Sequence, residues 1–271
     1  MNKECIKCSK KMCISFEKEE LELFNIDFPF EVDKNVCPTN AIYCVNNEIN
    51  INSEKCIGCG ICMSRCPKGL IKMKDGVAII DPLYEMNSNN EMKKLYNNIN
   101  SKPMNSYSIN LLSRNLLIEC GIKTAITRTG DNNLRMDGII QSKDDLGVLE
   151  IEFGQDILSS PRNLLDDIAV ICSRYGFRKE NITALSICLS LPNNRTDYWN
   201  VIKDIKDVLG IEIKTVSIGS LVYIMWNEKK INLKELPYLD SVDNSLIEKV
   251  EKILNKNIEI DDDNAIFRTK K

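Results

Sequence analysis

Four cysteines at fixed spacing form the clearest chemical signal in the sequence. They follow the pattern C-x2-C-x2-C-x3-C and are Cys56, Cys59, Cys62 and Cys66, with Pro67 directly after the last. This run is typical of a cubane 4Fe-4S site. Gly58 and Gly60 permit the positive φ angles that a tight loop around such a site needs. Because zinc sites usually take two cysteines from each of two separated segments, the run favours iron and sulfide over zinc.

A less regular group of cysteines precedes this run. Its members are Cys5, Cys8, Cys13 and Cys37. The chain holds 12 Cys and 0 His, which excludes Cys/His zinc fingers and His-dependent catalytic triads. Crowded cysteines in a reducing compartment are metal or cofactor ligands before they are disulfides. We therefore expect a cytoplasmic protein with a second cofactor-binding set.

The segment 37–73 resembles the two-cluster bacterial ferredoxins, since C-P-T-x-A-I closes one half of the pattern and C-P-x-G-L-I closes the other. The resemblance covers about the first 80 residues and implies an α+β ferredoxin domain with two 4Fe-4S clusters. In that family the fourth cysteine of each run ligates the other cluster. Carried over by motif, the first cluster takes Cys5, Cys8, Cys13 and Cys66. The second cluster takes Cys37, Cys56, Cys59 and Cys62.

The sequence departs from the ferredoxin pattern around the cysteines assigned to the first cluster. An insertion, residues 14–36, lies between Cys13 and Cys37, and we expect it to cap one cluster, with a helical piece near 17–23. The four residues between Cys8 and Cys13 resemble ferredoxins whose first centre is a 3Fe-4S cluster held by three cysteines. In that alternative Cys8 is not a ligand. Cys44 is a spare cysteine, which we predict to be a small buried residue on a strand.

Carboxylates in the second half of the chain suggest separate chemistry. Predicted strand pairing places Asp137 beside Glu150 and Glu152, and strand alternation puts the two glutamates on one face. Such acids can hold Mg²⁺ or Mn²⁺, with Asp137 and Glu150 as metal ligands, and activate water for attack on a phosphodiester. The alternative is structural, with Asp137 shaping a bend and the glutamates forming a solvated face.

The order of elements and the acid spacing resemble the PD-(D/E)xK restriction-endonuclease superfamily. That resemblance implies catalysis by Asp137, Glu150 and Glu152, and DNA or another nucleic acid as partner. Glu152 stands where the family has Lys, so Arg162 is a candidate substitute and Glu119 a candidate fourth acid. A basic patch is expected from Lys123, Arg128, Arg135 and Arg162.

Hydrophobic patterning sets out the elements that position these acids. It predicts helices at 107–120, 161–175, 197–209 and 245–255, and strands at 122–128, 134–141, 146–153, 182–191, 211–217 and 222–226. This order predicts an α/β domain with a mixed sheet. The expected organisation is a ferredoxin domain at 1–80, a linker with at most a short helix at 81–103, the α/β domain at 104–239, and a C-terminal helix with a frayed tail at 240–271.

Composition limits the function classes. With 43% hydrophobic residues and a net charge of -3, the chain can fold and shows no basic excess for nucleic acid. Its apolar stretches are too short to span a membrane. Three functions remain: a Mg²⁺-dependent nuclease whose clusters are structural or redox-sensing, a ferredoxin-type electron carrier whose C-terminal module docks a redox partner protein, and a non-catalytic binding adaptor.

Overall fold

Two short antiparallel hairpins accompany the cysteine runs in the computed structural model, which describes residues 3–23, 26, 29–130, 136–142, 145–242, 245–258 and 267. The first hairpin joins β1 (Ile42–Val45) to β2 (Glu48–Ile51), and the second joins β3 (Ile71–Lys74) to β4 (Val77–Ile80). Both turns consist of two residues with positive φ, at 46–47 and 75–76. Two-residue hairpins of type I′ require this backbone conformation.

Residues 37–51 and 66–80 repeat the same structure. Each begins with Cys-Pro and has a positive φ three residues after the cysteine, 52° at Asn40 and 62° at Gly69. The peptide N–H groups of Asn40 and Gly69 donate to the carbonyl oxygens of Cys37 and Cys66 at 3.2 and 3.0 Å. A hairpin of the same register follows in both. The repeat is the arrangement that a two-halved ferredoxin requires.

The insertion 14–36 closes on itself at its two ends. The Phe16 peptide N–H donates to the Lys34 carbonyl oxygen at 2.8 Å, and that of Val36 to Ile14 at 2.9 Å. Phe16 is buried. Between these ends lies the short helix α2 (Lys18–Leu21), at the predicted position; α1 (Lys3–Ile6) and α3 (Ile61–Ser64) are equally short.

The prediction of at most a short helix in the linker 81–103 is wrong. Residues Ser88–Ser101 form the 14-residue helix α4, which begins where the Asn87 side chain accepts a hydrogen bond from the Asn90 N–H. Met92, Leu95 and Ile99 are buried at helical spacing, a period that the many intervening asparagines obscure. Glu91 is also buried and accepts from the N–H groups of residues 75 and 76, at 2.8 and 2.7 Å.

A five-stranded mixed sheet forms the C-terminal half. Its strands are β5 (Lys123–Ile126), β6 (Gly138–Ser142), β7 (Asp145–Glu152), β8 (Ile182–Cys188) and β9 (Ile213–Ser217). They lie in sequence order, with the first two pairings antiparallel and the last two parallel. The helices are α5 (Ser106–Glu119), α6 (Ser160–Tyr175), α7 (Tyr198–Leu209), α8 (Ile218–Trp226) and α9 (Leu246–Leu254). The mixed α/β class is confirmed.

One predicted strand is a helix. Residues 222–226 belong to α8, which begins where the Ser217 hydroxyl accepts from the Ser220 N–H. The helix is buried from Ile218 to Met225. A short apolar run buried on all sides has no amphipathic period, so the sequence does not separate strand from helix there. Residues 131–135, which include the start of the predicted strand 134–141, and most of the predicted tail lie outside the described residues.

Apolar cores cover both faces of the sheet. Alternate β7 residues, such as Val148, pack with α6 and α7. Leu149 and Ile151 belong to the other core, which also contains residues of α4, α5 and α8 and the cysteine loop. The two hairpins β1–β2 and β3–β4 therefore share one continuous core with the five-stranded sheet. The predicted domain boundaries remain predictions.

Candidate iron-sulfur site

Four cysteines, called the second set because the ferredoxin resemblance assigns them to the second cluster, line one cavity. Cys37, Cys56, Cys59 and Cys62 surround a small cavity of about 20 Å³, whose other walls are mainly aliphatic residues. The last three are buried and Cys37 is half-buried. Burial and the neighbouring Cys37 thiolate raise the pKa of Cys59, and the same causes with Cys56 and Cys59 raise that of Cys62. The structure therefore brings together thiols from positions 37 and 56–62.

The cysteines assigned to the first cluster, called the first set, also lie near one another. They are Cys5, Cys8, Cys13 and, from the later run, Cys66. Burial raises the pKa of Cys13 to about 12, helped by the charges of Cys66, Cys5 and Cys8. The pKa of Cys5 is raised by burial, and by Cys66 and Cys8. Cys13 is buried, whereas Cys5, Cys8 and Cys66 are half-buried. Cys44, predicted to be buried, is exposed on β1.

The loop of the second set approaches other backbone closely. Gly58 has φ +83°, and a Cβ atom there would lie 2.7 Å from the Gly76 carbonyl oxygen. Gly60 has φ +79°, and a Cβ atom there would overlap the indole nitrogen of Trp226. Glycine satisfies both conditions, the positive φ and the absent side chain. The two glycines predicted to shape the loop are therefore required at these positions.

Backbone N–H groups donate to the cysteine sulfurs at equivalent places in the two repeats. The Ala41 N–H donates to Cys37 Sγ at 3.1 Å, and the Leu70 N–H donates to Cys66 Sγ at 3.3 Å. The Ala78 N–H also donates to Cys56 Sγ at 3.4 Å. Hydrogen bonds of this kind favour the charged thiolate and influence the potential of a cluster that it ligates.

Each cysteine set has one lysine beside its backbone. Lys11 Nζ donates to the carbonyl oxygens of Cys5 and Cys8 at 3.3 and 3.4 Å. Lys102 Nζ donates to the carbonyl oxygen of Cys56 and, at 3.0 Å, to that of Ser53. Lys11 lies within a C-x4-C spacing, a local signal that identifies it as a neighbour of the first set. Lys102 lies 46 residues after Cys56, and nothing local in the sequence indicates this contact.

A buried arginine stands between the last two cysteines of the run. Arg65 is 6% exposed, and its guanidinium forms ion pairs of 2.6 Å with Glu119 and 2.8 Å with Glu20. The Glu119 carboxylate also accepts from the Ser64 hydroxyl at 2.9 Å. Glu119 was predicted as a possible fourth acid beside Asp137, but among its described contacts it faces Arg65. Sequence analysis missed Arg65, since its partners lie at positions 20 and 119.

Comparisons with known proteins agree with this geometry. The family model described as the LdpA Fe-S cluster-binding domain matches residues 33–77. The chain carries an iron-sulfur cluster-binding domain. Two proteins of Methanocaldococcus jannaschii, both described as uncharacterized ferredoxins, are 45% identical over 42 residues and 42% identical over 45 residues. These matches cover 16% and 17% of this chain, and 25% and 30% of the relatives. No solved structure matches the chain.

The thiols of this ferredoxin-like domain fit an iron-sulfur cofactor. Within the described ranges, no three His, Cys, Asp or Glu side chains are placed to hold one metal ion. The cysteines of the second set instead surround a common space. Buried thiols with raised pKa values need a cation before they ionise, and bound iron would supply it.

None of the described helices is long and apolar enough to cross a membrane.

The predicted acids have different surroundings, Glu150 on the α6 side of the sheet and Asp137 beside Asn110 of α5. Glu150 is 5% exposed, so the solvated-face alternative does not hold for it. It faces Asp167 of α6, which sequence analysis missed because that residue lies on a different element. Burial and the Asp137 charge raise the pKa of Glu150 to about 9, and burial raises that of Asp167 to about 7. Glu150 therefore holds a proton at neutral pH and can donate it to Asp167.

Asp137 has a backbone role at the end of β6. Its carboxylate accepts from the Ile151 N–H at 2.8 Å and from the Asn110 amide at 2.9 Å. The first bond satisfies the Ile151 N–H where the ladder of β7 with β6 ends. Glu152 is half-buried, and burial and the Asp137 charge raise its pKa.

The expected basic patch does not form around Lys123. Its Nζ donates to the carbonyl oxygens of Glu19 and Glu22 at the end of α2. Arg162 is exposed at the start of α6, and Arg135 lies outside the described residues.

Proposed function

We propose that this protein is a ferredoxin-type electron carrier with two clusters and crossed ligation. The observation that carries the proposal is the grouping of Cys66 with the first cysteine set, while Cys37 lines the cavity of the second. The two repeats support this crossed ligation. Each repeat begins with a Cys-Pro whose cysteine closes one run in the sequence but lies near the cysteines of the other run in the structure. The proposed ligands are Cys5, Cys8, Cys13 and Cys66 for the first cluster, and Cys37, Cys56, Cys59 and Cys62 for the second.

The two proposed clusters are electrostatic neighbours. The Cys13 charge contributes to the raised pKa of Cys62, a residue of the other set. This proximity supports electron transfer between the centres. The cluster iron supplies the redox chemistry. The chain provides the cysteine ligands, the N–H donors to sulfur and the nearby charges of Lys11 and Lys102.

The type of the first cluster depends on Cys8. Its thiol donates to the carbonyl oxygen of Lys10 at 3.0 Å and is half-buried. We propose a 4Fe-4S centre with Cys8 as a ligand, and the 3Fe-4S centre on Cys5, Cys13 and Cys66 is the alternative. Cys8→Ala distinguishes the two: the first centre should change from 4Fe-4S to 3Fe-4S in electron paramagnetic resonance (EPR) spectra. Unchanged spectra would establish the three-cysteine alternative.

Anaerobic purification and redox titration test the electron-carrier proposal. The protein should contain iron and acid-labile sulfide and should bleach near 400 nm on reduction, with full recovery on reoxidation by a soluble acceptor. Two reversible one-electron steps are expected, one for each centre. Clusters that cannot be reduced and reoxidised without decay would contradict a carrier function and leave a structural one.

A second candidate function is metal-dependent phosphodiester cleavage at the acids. Asp137, Glu150 and Asp167 are close enough for the first to raise the pKa values of the other two. A divalent cation would have to displace the Glu150 proton, compete with Asn110 for Asp137, and draw the carboxylates together, because no three acids of the described residues are already placed to hold one ion. The position of these acids beside the carboxyl ends of parallel strands β7 and β8 supports the candidate.

Cleavage assays with Mg²⁺ or Mn²⁺ test this second function. Wild-type protein should cut DNA or RNA only with the cation, and Glu150→Gln should remove the activity. Asp145→Asn, at the other end of the same strand, is the matched control and should keep it. Cation-independent cleavage, or cleavage retained in Glu150→Gln, would contradict the assignment.

A further inference from the structure

Arg65 connects the two cysteines of the first set that come from different parts of the chain. It is the residue directly before Cys66, and its Nε donates to the carbonyl oxygen of Met12 at 2.9 Å. Met12 is the residue directly before Cys13. One guanidinium therefore fixes the backbone beside both Cys13 and Cys66. Met12 and Arg65, the residues directly before these cysteines, are 53 positions apart.

The same guanidinium is held from two other directions. The Glu20 carboxylate of the insertion accepts from both terminal nitrogens, at 2.9 and 2.8 Å, and that of Glu119 on α5 accepts at 2.6 Å. The Phe16 ring lies under the guanidinium, 4.0 Å from its carbon to the ring centroid. Each guanidinium nitrogen thus has a partner, and three separate segments meet at one side chain.

We infer that Arg65 is a positioning residue for the first cluster, and that it makes retention of that cluster depend on helix α5. This inference rests on the proposed two-cluster function. The insertion enlarges the loop between Cys13 and Cys37, so the local chain alone does not fix Cys13 against Cys66. Arg65 provides that constraint through Met12. Glu119 in turn holds Arg65, and α5 is anchored to the sheet by its buried apolar residues.

The planar fork of arginine is essential to this arrangement. A guanidinium offers five N–H donors in fixed directions, whereas an ammonium is a single point charge on a flexible stem. A lysine at position 65 cannot contact the Met12 carbonyl and both carboxylates in the same geometry. Loss of Glu119 alone leaves the guanidinium with the more exposed carboxylate of Glu20, whose side chain is 31% exposed.

The experiment compares Arg65→Lys and Glu119→Gln in the full-length protein with Glu91→Gln as matched control. Glu91 is a buried glutamate that binds backbone N–H groups of the second hairpin, away from Arg65. Anaerobic samples are exposed to air, and the EPR signals of the two centres are followed with time and with applied potential. The second centre serves as an internal standard in the Arg65→Lys and Glu119→Gln samples.

Arg65→Lys and Glu119→Gln should shorten the lifetime of the first centre several-fold and shift its reduction potential, while the second centre keeps its wild-type values. Glu91→Gln should leave the first centre unchanged. Equal loss of both centres in Glu119→Gln would indicate general unfolding and would overturn the inference, as would wild-type lifetimes and potentials in both variants. A wild-type protein with only one centre would instead refute the proposed function itself.

Discussion

Trp226 donates a hydrogen bond of 3.0 Å from its indole nitrogen to the carbonyl oxygen of Cys59. The donor lies at the end of α8, in the C-terminal half, and the acceptor lies in the cysteine loop, 167 positions earlier. The same indole fills the space that a side chain at position 60 would occupy. The C-terminal half therefore covers the loop of the second set directly.

We expect Trp226→Phe to make the second centre decay faster in air. Phenylalanine retains apolar cover but loses the hydrogen bond to Cys59, which contributes about 1 kcal/mol to the local structure. The decay of absorption near 400 nm should accelerate by a few-fold. Trp199→Phe is the control, since Trp199 packs in the other core. Equal decay of both variants would show that Trp226 does not protect the loop.

The two lysines should influence the two centres separately. Removing a positive charge makes an added electron less stable, so Lys102→Gln should lower the potential of the second centre and Lys11→Gln that of the first, by some tens of millivolts at an effective dielectric constant of about 20. Protein-film voltammetry of the three proteins measures both shifts. If Lys102→Gln shifted the first centre instead, the assignment of Cys56 to the second would be wrong.

Crossed ligation predicts different effects for neighbouring cysteines. Cys66→Ala should remove or convert the first centre and leave the second, whereas Cys62→Ala should do the reverse, although the two residues lie in one motif. EPR spectra after anaerobic reconstitution distinguish the centres. Loss of the same centre in both variants would mean that the run 56–66 binds one cluster by itself.

The buried acids predict a pH-dependent stability. The pKa of Glu150 is raised from 4.5 to about 9 and that of Asp167 from 3.8 to about 7, chiefly by burial. The folded state keeps protons on these two acids that the unfolded chain releases, so their contribution to the free energy of unfolding is largest below about pH 4 and falls as pH rises to about 9. In metal-free buffer, Glu150→Gln should be more stable than wild type near pH 9, by about 1–3 kcal/mol.

Thermal or urea unfolding across pH 5 to 9 measures this dependence. Asp145→Asn, at the half-buried start of β7, should keep the wild-type slope. A Glu150→Gln variant with the same slope as wild type would show that Glu150 is already ionised at neutral pH. If Mg²⁺ restored wild-type stability at pH 9, the metal-binding candidate would gain direct support.

The sequence predicted those features that depend on local chemistry. The spacing of the cysteines and the glycines between them predicted a tight loop, and Gly58 and Gly60 have the positive φ angles that this loop requires. The strands of the mixed sheet were located because their alternation and turns are local signals. Glycine at 176 and 210 likewise marked the ends of α6 and α7.

The missed features depend on contacts between distant segments. Helix α4 has a buried stripe at positions 92, 95 and 99, but asparagine-rich composition made the segment resemble a linker. Helix α8 is apolar all round, so only its tertiary surroundings reveal a helix. Arg65, Lys102 and Asp167 have partners that are far away in sequence, and their roles appear only when the chain is folded.

The most direct test of the two-cluster account is the mass of the anaerobic protein measured by native mass spectrometry. Two bound cubane clusters contain about eight irons and eight sulfides. The measured mass should therefore exceed the polypeptide mass of 30.9 kDa by the mass of these atoms. Cys66→Ala should lose the mass of one cluster, or retain a three-iron form of it. A wild-type mass that matches one cluster, or bound zinc without sulfide, would contradict the account.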